Sequence, residues 1–391
     1  MIEMVKILFW AAVVVVFYTY VAYPILVDWA SRLRRRADAG PPGDPAELPS
    51  LTLIIPAYNE ERWMARKIEN TLALDYPRGQ MQIVVASDGS TDRTVEIARA
   101  FEGEGVTVAS FPARVGKQTM LNRLVPAAEG EIIVATDTHA MLKPDALRSL
   151  VRHFADPEVA GVTGQRVCVT QAKSAASVAE GLYWRYESWI KKSESRAHSC
   201  LGAHGQLYAI RKSVFPHVEK VGEDFFIPMK VIADTGLRIV YEPAAVAAIP
   251  AAATLGIEFE RKTRAHVSFL LTLPMLKKLL LPWGSRVWWQ YISHHLLRMA
   301  VPPALLILLF SSARLAPQGG FYLAASLLQA LFYTLAAIGG VLAARGRRPK
   351  VFYMPFYFAF VNAALGLAWL RWPRRKYDHA WRRTERLPDA N

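Results

Sequence analysis

The sequence predicts an α/β domain with a mainly parallel central sheet, flanked at both ends by transmembrane helices. Three observations predict it. Long uncharged apolar runs stand near the two ends of the chain. Between them, short apolar runs alternate with stretches of helical periodicity, the pattern of βαβ units whose sheet is covered on both faces. Hydrophobic residues make up 52% of the 391 residues and charged ones only 20%, an apolar balance unusual for a soluble protein of this size.

Residues 7–26 carry no charge and match the length of a membrane span, about 20 residues. Glu3 and Lys6 precede this run, and the arginines at 32, 34, 35 and 36 follow it. It is too long for the apolar core of a cleaved signal, and its basic cluster is on the wrong side. Residues 1–30 are therefore expected to anchor the chain with residue 30 inside the cell. Residues 31–49, rich in Pro and Gly, read as a linker.

The globular part is expected over 50–265. Strands are predicted at 51–55 (LTLII), 82–86 (QIVVA), 106–109 and 131–136 (EIIVAT), with helices at 61–74, 92–102 and 117–128 between them. Further strands are predicted at 206–211 and 237–241, with a helix near 224–233. Residues 266–285 are apolar but contain Lys277, Lys278 and two prolines, and read as an amphipathic helix lying in the membrane interface. A helix buried in the globular domain is the alternative.

Membrane helices are expected within 286–372, at 287–310, 321–343 and 351–370. His294, His295 and Arg298 interrupt the first. Ionisable groups there face a cavity or a partner, such as a lipid phosphate or a saccharide, or snorkel to the interface. Residues 373–391 form a basic tail. If all three helices cross, the tail lies outside, against the positive-inside rule. Either 351–370 re-enters or lies in the interface, which is the preferred reading, or 267–283 crosses.

The net charge of +14 does not imply nucleic-acid binding, because the basic residues cluster beside the apolar runs, as at Arg345, Arg347, Arg348 and Lys350. Cys168 and Cys200 supply neither a disulfide framework nor metal-ligand spacing.

In an open parallel sheet, ligands bind beyond the carboxyl ends of the strands. Three polar clusters fall there: 56–60 (PAYNE), 87–92 (SDGSTD) and 137–139 (DTH). Taken alone, 88–92 reads better as a turn and helix N-cap, and Asp137 with His139 as a loop carboxylate and a solvated imidazole. Their placement at equivalent strand ends brings them together. No glycine-rich dinucleotide fingerprint or P-loop is present.

IIPAYNEE, SDGSTD, GKQTMLN (116–122), ATDTHAM, GAHGQLYAIRK (202–212) and GEDFFIPMK (222–230), in this order and spacing, resemble the family 2 glycosyltransferases with the GT-A fold. With the flanking apolar runs, the chain is similar to the membrane-bound branch containing chitin, hyaluronan, cellulose and poly-N-acetylglucosamine synthases. The resemblance implies an inverting transferase that passes sugar from a nucleotide-sugar donor to a saccharide or lipid-linked acceptor. It implies a cytoplasmic catalytic domain at the plasma (inner) membrane, in contact with membrane lipid, and polysaccharide or glycoconjugate synthesis. A nucleotide-sugar-binding accessory subunit is the alternative.

The resemblance also implies site roles. Ala57, Tyr58, Glu60, Asp88 and Lys117 would contact the nucleotide, and Asp137 would bind a divalent metal, Mg or Mn, that bridges the diphosphate. His139 stands where the family has a second aspartate; imidazole suits Mn²⁺ better than Mg²⁺. Asp224 would be the catalytic general base, with Glu223, Gly202, Ala203 and His204 towards the acceptor. Arg261 and Arg264 stand in place of the synthases' Gln-x-x-Arg-Trp and would grip the diphosphate. Its glutamine and tryptophan are missing, which argues against long-chain polymerisation.

Overall fold

The computed structural model describes residues 1–33, 47–169, 175–217, 223–250 and 254–374, for 175–182, 223 and 374 as backbone alone. Most of the linker and of the basic tail lie outside these residues. Helix α1 (Ile2–Leu33) contains a π turn at Tyr18–Ala22. The α/β domain follows: β1 (Leu51–Ala57), α2 (Glu61–Leu72), β2 (Met81–Asp88), α3 (Thr94–Arg99), β3 (Val106–Phe111), α4 (Lys117–Ala127), β4 (Ile132–Ala135), β5 (Met141–Leu142), α5 (Ala146–Val151), β6 (Val159–Val169), α6 (Ala175–Ala197), β7 (Tyr208–Arg211), α7 (Glu223–Thr235) and β8 (Arg238–Pro250). Then come α8 (Leu255–Thr272), α9 (Trp288–Gln318), α10 (Gly320–Ala344) and α11 (Lys350–Arg371).

One sheet runs in the order β3-β2-β1-β4-β7-β6-β8-β5. The β3-β2-β1-β4 half is parallel; β7 then pairs antiparallel with both β4 and β6, and β6 runs parallel to β8. Every residue of β1 is buried, as expected of a strand covered on both faces. Alternate side chains feed two cores: Ile54, Ala86 and Ile133 pack with α4 and α7, whereas Leu53, Ile55, Ile83 and Val134 pack with α2 and α5. Parallel register brings Ala57 beside Ser87 and Ile54 beside Ala135, so β1, β2 and β4 present their carboxyl ends along one edge.

Strands β5 and β6 and helices α5 and α6 are additions to the expected elements, and β8 extends well beyond 237–241. β6 reads poorly as a strand because Gly161 and Gly164 interrupt it. A Cβ on Gly164 would stand 2.4 Å from the Ala245 carbonyl oxygen, so the close approach of β8 demands glycine there.

Residues 267–283 are not one helix. α8 ends at Thr272, Pro274 enters a 3₁₀ stretch (Leu273–Leu280), and Leu276 leaves helical geometry at φ −110°. Val267, Phe269, Leu270, Leu276 and Leu279 are buried, while Met275, Leu281 and Trp283 are exposed, Trp283 at 82%.

Among the described residues, four helices, α1, α9, α10 and α11, are long and apolar enough to cross a membrane by length and composition. α1 packs on α9, and α10 on α11. α11 also lies against α8 of the α/β domain: Phe360 meets Phe259, Tyr357 lies under Lys262, and Arg371 pairs with Glu260 at 2.7 Å.

His294 and Arg298 neither snorkel nor stand open. His294 is 3% exposed, its Nδ1 2.7 Å from Glu194 and its Nε2 3.5 Å from Glu187, and Arg298 donates to Glu187 at 2.8 Å. His295 stacks on His294 at 4.5 Å. Two α6 carboxylates therefore take the place that the sequence left for water or an acceptor.

Candidate functional site

The loops at the carboxyl edge are fastened to each other. Asn59 takes a left-handed conformation (φ 52°), and its side-chain oxygen accepts from the Thr91 N–H at 2.8 Å, while its own N–H donates to Ser90 Oγ. Asparagine tolerates this geometry better than most side chains. Ala57 is fully buried at the end of β1. Glu60 is buried, caps α2 through its carbonyl, and donates its N–H to Thr94 Oγ1. The Arg114 guanidinium lies 3.8 Å over the Tyr58 ring.

Asp88 is fully buried, and its carboxylate accepts from the Val115 N–H at 2.6 Å and the Gly116 N–H at 3.0 Å. Gly116 has φ 85°, a left-handed conformation that frees its N–H for this contact and starts α4 at Lys117. Lys117 Nζ then reaches Asp137 Oδ1 at 3.0 Å. The other oxygen, Oδ2, accepts from Gln206 Nε2 at 3.1 Å and stands 3.7 Å from His139 Nε2. Beside Gln206, a Cβ on Gly205 would stand 2.5 Å from Asp224 Oδ2, so glycine there lets the Asp224 carboxylate close in. Side-chain contacts and chain neighbours thus bring Asp88, Lys117, Asp137, Gln206, Gly205 and Asp224 near one another.

On the far side of Asp224, the Ala203 N–H donates to the Asp224 carbonyl at 2.8 Å, and Gly202 (φ 84°) packs under the Phe225 ring. The His204 N–H donates to Thr163 Oγ1, and the His204 ring lies 6.1 Å from the Trp184 ring. Burial, with the positive charges of Lys191 and Arg166, pushes the His204 imidazole well below its usual range, so it is neutral at neutral pH. Glu223 begins α7; its side chain is outside the described residues.

Arg261 and Arg264 stand on α8 rather than in this run. Glu258 holds the Arg261 guanidinium bidentately, at 3.0 and 2.7 Å. Lys262 links α8 to the site by lying 5.9 Å over the Trp184 ring, which in turn meets His204.

Two further residues belong to the site and were not legible as such. Gln206 was read only as the start of a strand, yet it holds Asp137. Lys67, on an ordinary-looking amphipathic helix, is fully buried and donates to Thr136 Oγ1 and the Ala140 carbonyl, on either side of Asp137 and His139.

Among the described residues there is no group of three or more His, Cys, Asp or Glu side chains placed to hold a metal. Asp137 and His139 together offer one carboxylate and one imidazole. That donor set fits an ion that completes its shell with phosphate oxygens and water, not a resident ion caged by protein.

Residues 52–218 match the family described as Glycosyl transferase family 2. The chain is 31% identical over 164 residues to a beta-monoglucosyldiacylglycerol synthase of Nostoc sp., covering 41% of this chain and 34% of that protein. It is 25% identical over 225 residues to a poly-beta-1,6-N-acetyl-D-glucosamine synthase of Staphylococcus aureus, covering 56% of this chain and 54% of that protein. The chain thus spans about a third to a half of the length of these relatives. Its fold is similar to that of a mannosyltransferase from Pyrobaculum calidifontis solved in complex with GDP-Man and Mn²⁺, with a TM-score of 0.68 and 24% identity, over 96% of this chain and 100% of that one.

Proposed function

We propose, from the match of residues 52–218 to Glycosyl transferase family 2 and the likeness of the fold to a solved mannosyltransferase, that the chain is a membrane glycosyltransferase. It transfers a sugar from a nucleotide-diphosphate-sugar to a saccharide or lipid-linked acceptor, with inversion, in polysaccharide or glycolipid synthesis. The observation that carries this reading is that Asp88 holds the backbone just before Lys117, Lys117 and Gln206 hold Asp137, and the Asp224 carboxylate closes on Gly205 beside Gln206.

In this reading the nucleoside lies over Ala57, Tyr58 and Glu60, with the Asp88 loop beneath it. Lys117 turns its ammonium from Asp137 to the diphosphate. Asp137 and His139 would hold a divalent cation, Mg²⁺ or Mn²⁺, whose positive charge would offset the negative charge of the diphosphate leaving group. Asp224 accepts the proton of the acceptor hydroxyl as that oxygen attacks the anomeric carbon. One displacement with one base inverts the configuration, and no second carboxylate nucleophile is needed. Arg261 and Arg264 grip the diphosphate, which for Arg261 requires that it release Glu258.

The arginine-rich loop between α10 and α11 and the basic tail support a cytoplasmic catalytic domain at the plasma membrane. The test is release of nucleotide from a panel of nucleotide-sugars by the purified full chain with Mg²⁺ or Mn²⁺, followed by mass spectrometry of the product. Donor binding without turnover, across lipid and saccharide acceptors, overturns the transferase reading and leaves an accessory subunit.

A further inference from the structure

Beside the acceptor side of the site, Arg166 on β6, Lys262 and Arg261 on α8, and Trp184 on α6 form a cluster with excess positive charge. The Arg166 guanidinium lies 4.4 Å over the Trp184 ring, and Lys262 Nζ lies 5.9 Å over the same ring. Glu258 is the carboxylate of this group, and Arg261 takes it bidentately, leaving Lys262 at 3.6 Å. The nearby Glu187 is committed to Arg298 and His294. Arg166 donates to Cys168 Sγ at 3.4 Å and makes no ion pair among the described residues; its buried Nε has no hydrogen-bond partner there, nor has the buried Trp184 Nε1.

Three cations against one carboxylate is an unfavourable arrangement for side chains so little exposed to water. Burial and the charges of Arg261 and Arg166, opposed by Glu258, push the Lys262 ammonium down to about 8. Unused N–H donors beside excess positive charge fit a group that is anionic and rich in acceptors, such as a phosphate. The location says what bears it. Trp184 connects the cluster to His204 and so to the Gly205–Asp224 contact. Lys262 also lies over Tyr357 of the apolar helix α11 at 5.5 Å. The cluster stands between the reacting carboxylate and the membrane helices.

We propose that Arg166 and Lys262, both set over the Trp184 ring, form a subsite for a phosphate group carried by a lipid-linked acceptor. This rests on the transferase reading and narrows it: the acceptor is a membrane amphiphile whose phosphate lies next to its apolar chain, with the reacting hydroxyl towards Asp224. The subsite gives the aromatic platform that the α8 sequence lacks a different origin, on α6.

The test is calorimetric binding to the purified full chain in an uncharged detergent, with decyl phosphate, decyl glucoside and inorganic phosphate as probes and the nucleotide-sugar panel titrated separately. Decyl phosphate is expected to bind saturably, and Arg166→Gln or Lys262→Met to weaken it about tenfold or more, the loss of a charge-assisted hydrogen bond. Arg166→Lys should recover most of it, and nucleotide-sugar affinity should stay within about twofold. Inorganic phosphate binding as tightly as decyl phosphate would keep the phosphate site but assign it to a soluble phosphorylated acceptor, overturning the lipid part. Equal binding of decyl phosphate and decyl glucoside, or indifference to both substitutions, overturns the subsite. That comparison uses wild-type protein and survives a variant that fails to fold. Failure of every nucleotide-sugar to bind strikes the transferase reading instead, so the two failures are told apart.

Discussion

Lys67 Nζ donates to Thr136 Oγ1 at 3.0 Å from a fully buried position, and the same ammonium reaches the Ala140 carbonyl, so one side chain fastens both ends of the loop that carries Asp137 and His139. Lys67→Met leaves the Ala140 carbonyl without this donor, at a cost of about 1–3 kcal/mol, and frees the loop. Metal-dependent donor binding is expected to weaken about tenfold with the α/β fold retained, as read by calorimetry and circular dichroism. Unchanged donor affinity would reduce Lys67 to a core residue.

The same lysine sets a pH dependence. Burial pushes it from its ordinary 10.5 down to about 7, with the Asp137 charge opposing. Between those values the unfolded chain holds the proton and the folded chain does not, so this group's contribution to stability grows as pH rises from 7 towards 10. Relative to Lys67→Met, the wild type should gain up to about 1.4 kcal/mol per pH unit across that window, measured as the difference in melting temperature between the two proteins. A pH-independent difference would contradict it.

What the sequence made legible and what it hid have physical reasons. β1, β2 and β4 are continuous apolar runs because both faces are covered, and the polar residues ending them stand out for the same reason. β6 was hidden because its glycines answer to the backbone of a strand far along the chain. His294 could be read as an open ionisable group because its partner, Glu194, lies 100 residues away on a helix with no membrane-like pattern. Lys67 looked like any surface lysine, since nothing in a helical pattern reveals that a loop will close over one of its turns.

Asp224→Asn keeps the side chain's size against Gly205 and removes its capacity to take a proton. Transfer is expected to fall about 10²–10⁴-fold, with nucleotide-sugar affinity within about twofold of wild type. Single-turnover product formation measures the first and calorimetry the second. If both fall together, Asp224 holds the donor rather than activating the acceptor.

Glu194 ties three helices: it accepts from Tyr23 of α1 at 2.5 Å and lies 2.7 Å from His294 of α9. Glu194→Ala leaves these partners buried without their acceptor, a loss of about 3–5 kcal/mol for a broken buried pair. The purified protein should melt at a clearly lower temperature, whereas Glu96→Ala, which breaks the exposed Arg93–Glu96 pair, should barely shift it. Equal melting of the two variants would show that the buried network adds no stability.

The Arg371–Glu260 pair fixes where the basic tail starts. Glu260 stands on α8, which packs against the α/β core, and Phe259 and Lys262 of the same helix meet Phe360 and Tyr357 earlier along α11. On the reading that α11 is interfacial or re-entrant, these contacts keep the start of the tail on the side of the α/β domain. With Cys168 and Cys200 replaced by Ser, single cysteines introduced at Glu102 of the α/β domain and at Asp378 of the tail should react with a membrane-impermeant maleimide from the same side. Both should be protected in intact cells and labelled after permeabilisation. Labelling of the tail alone in intact cells would mean that α11 crosses the membrane and that Arg371 and Glu260 do not meet there.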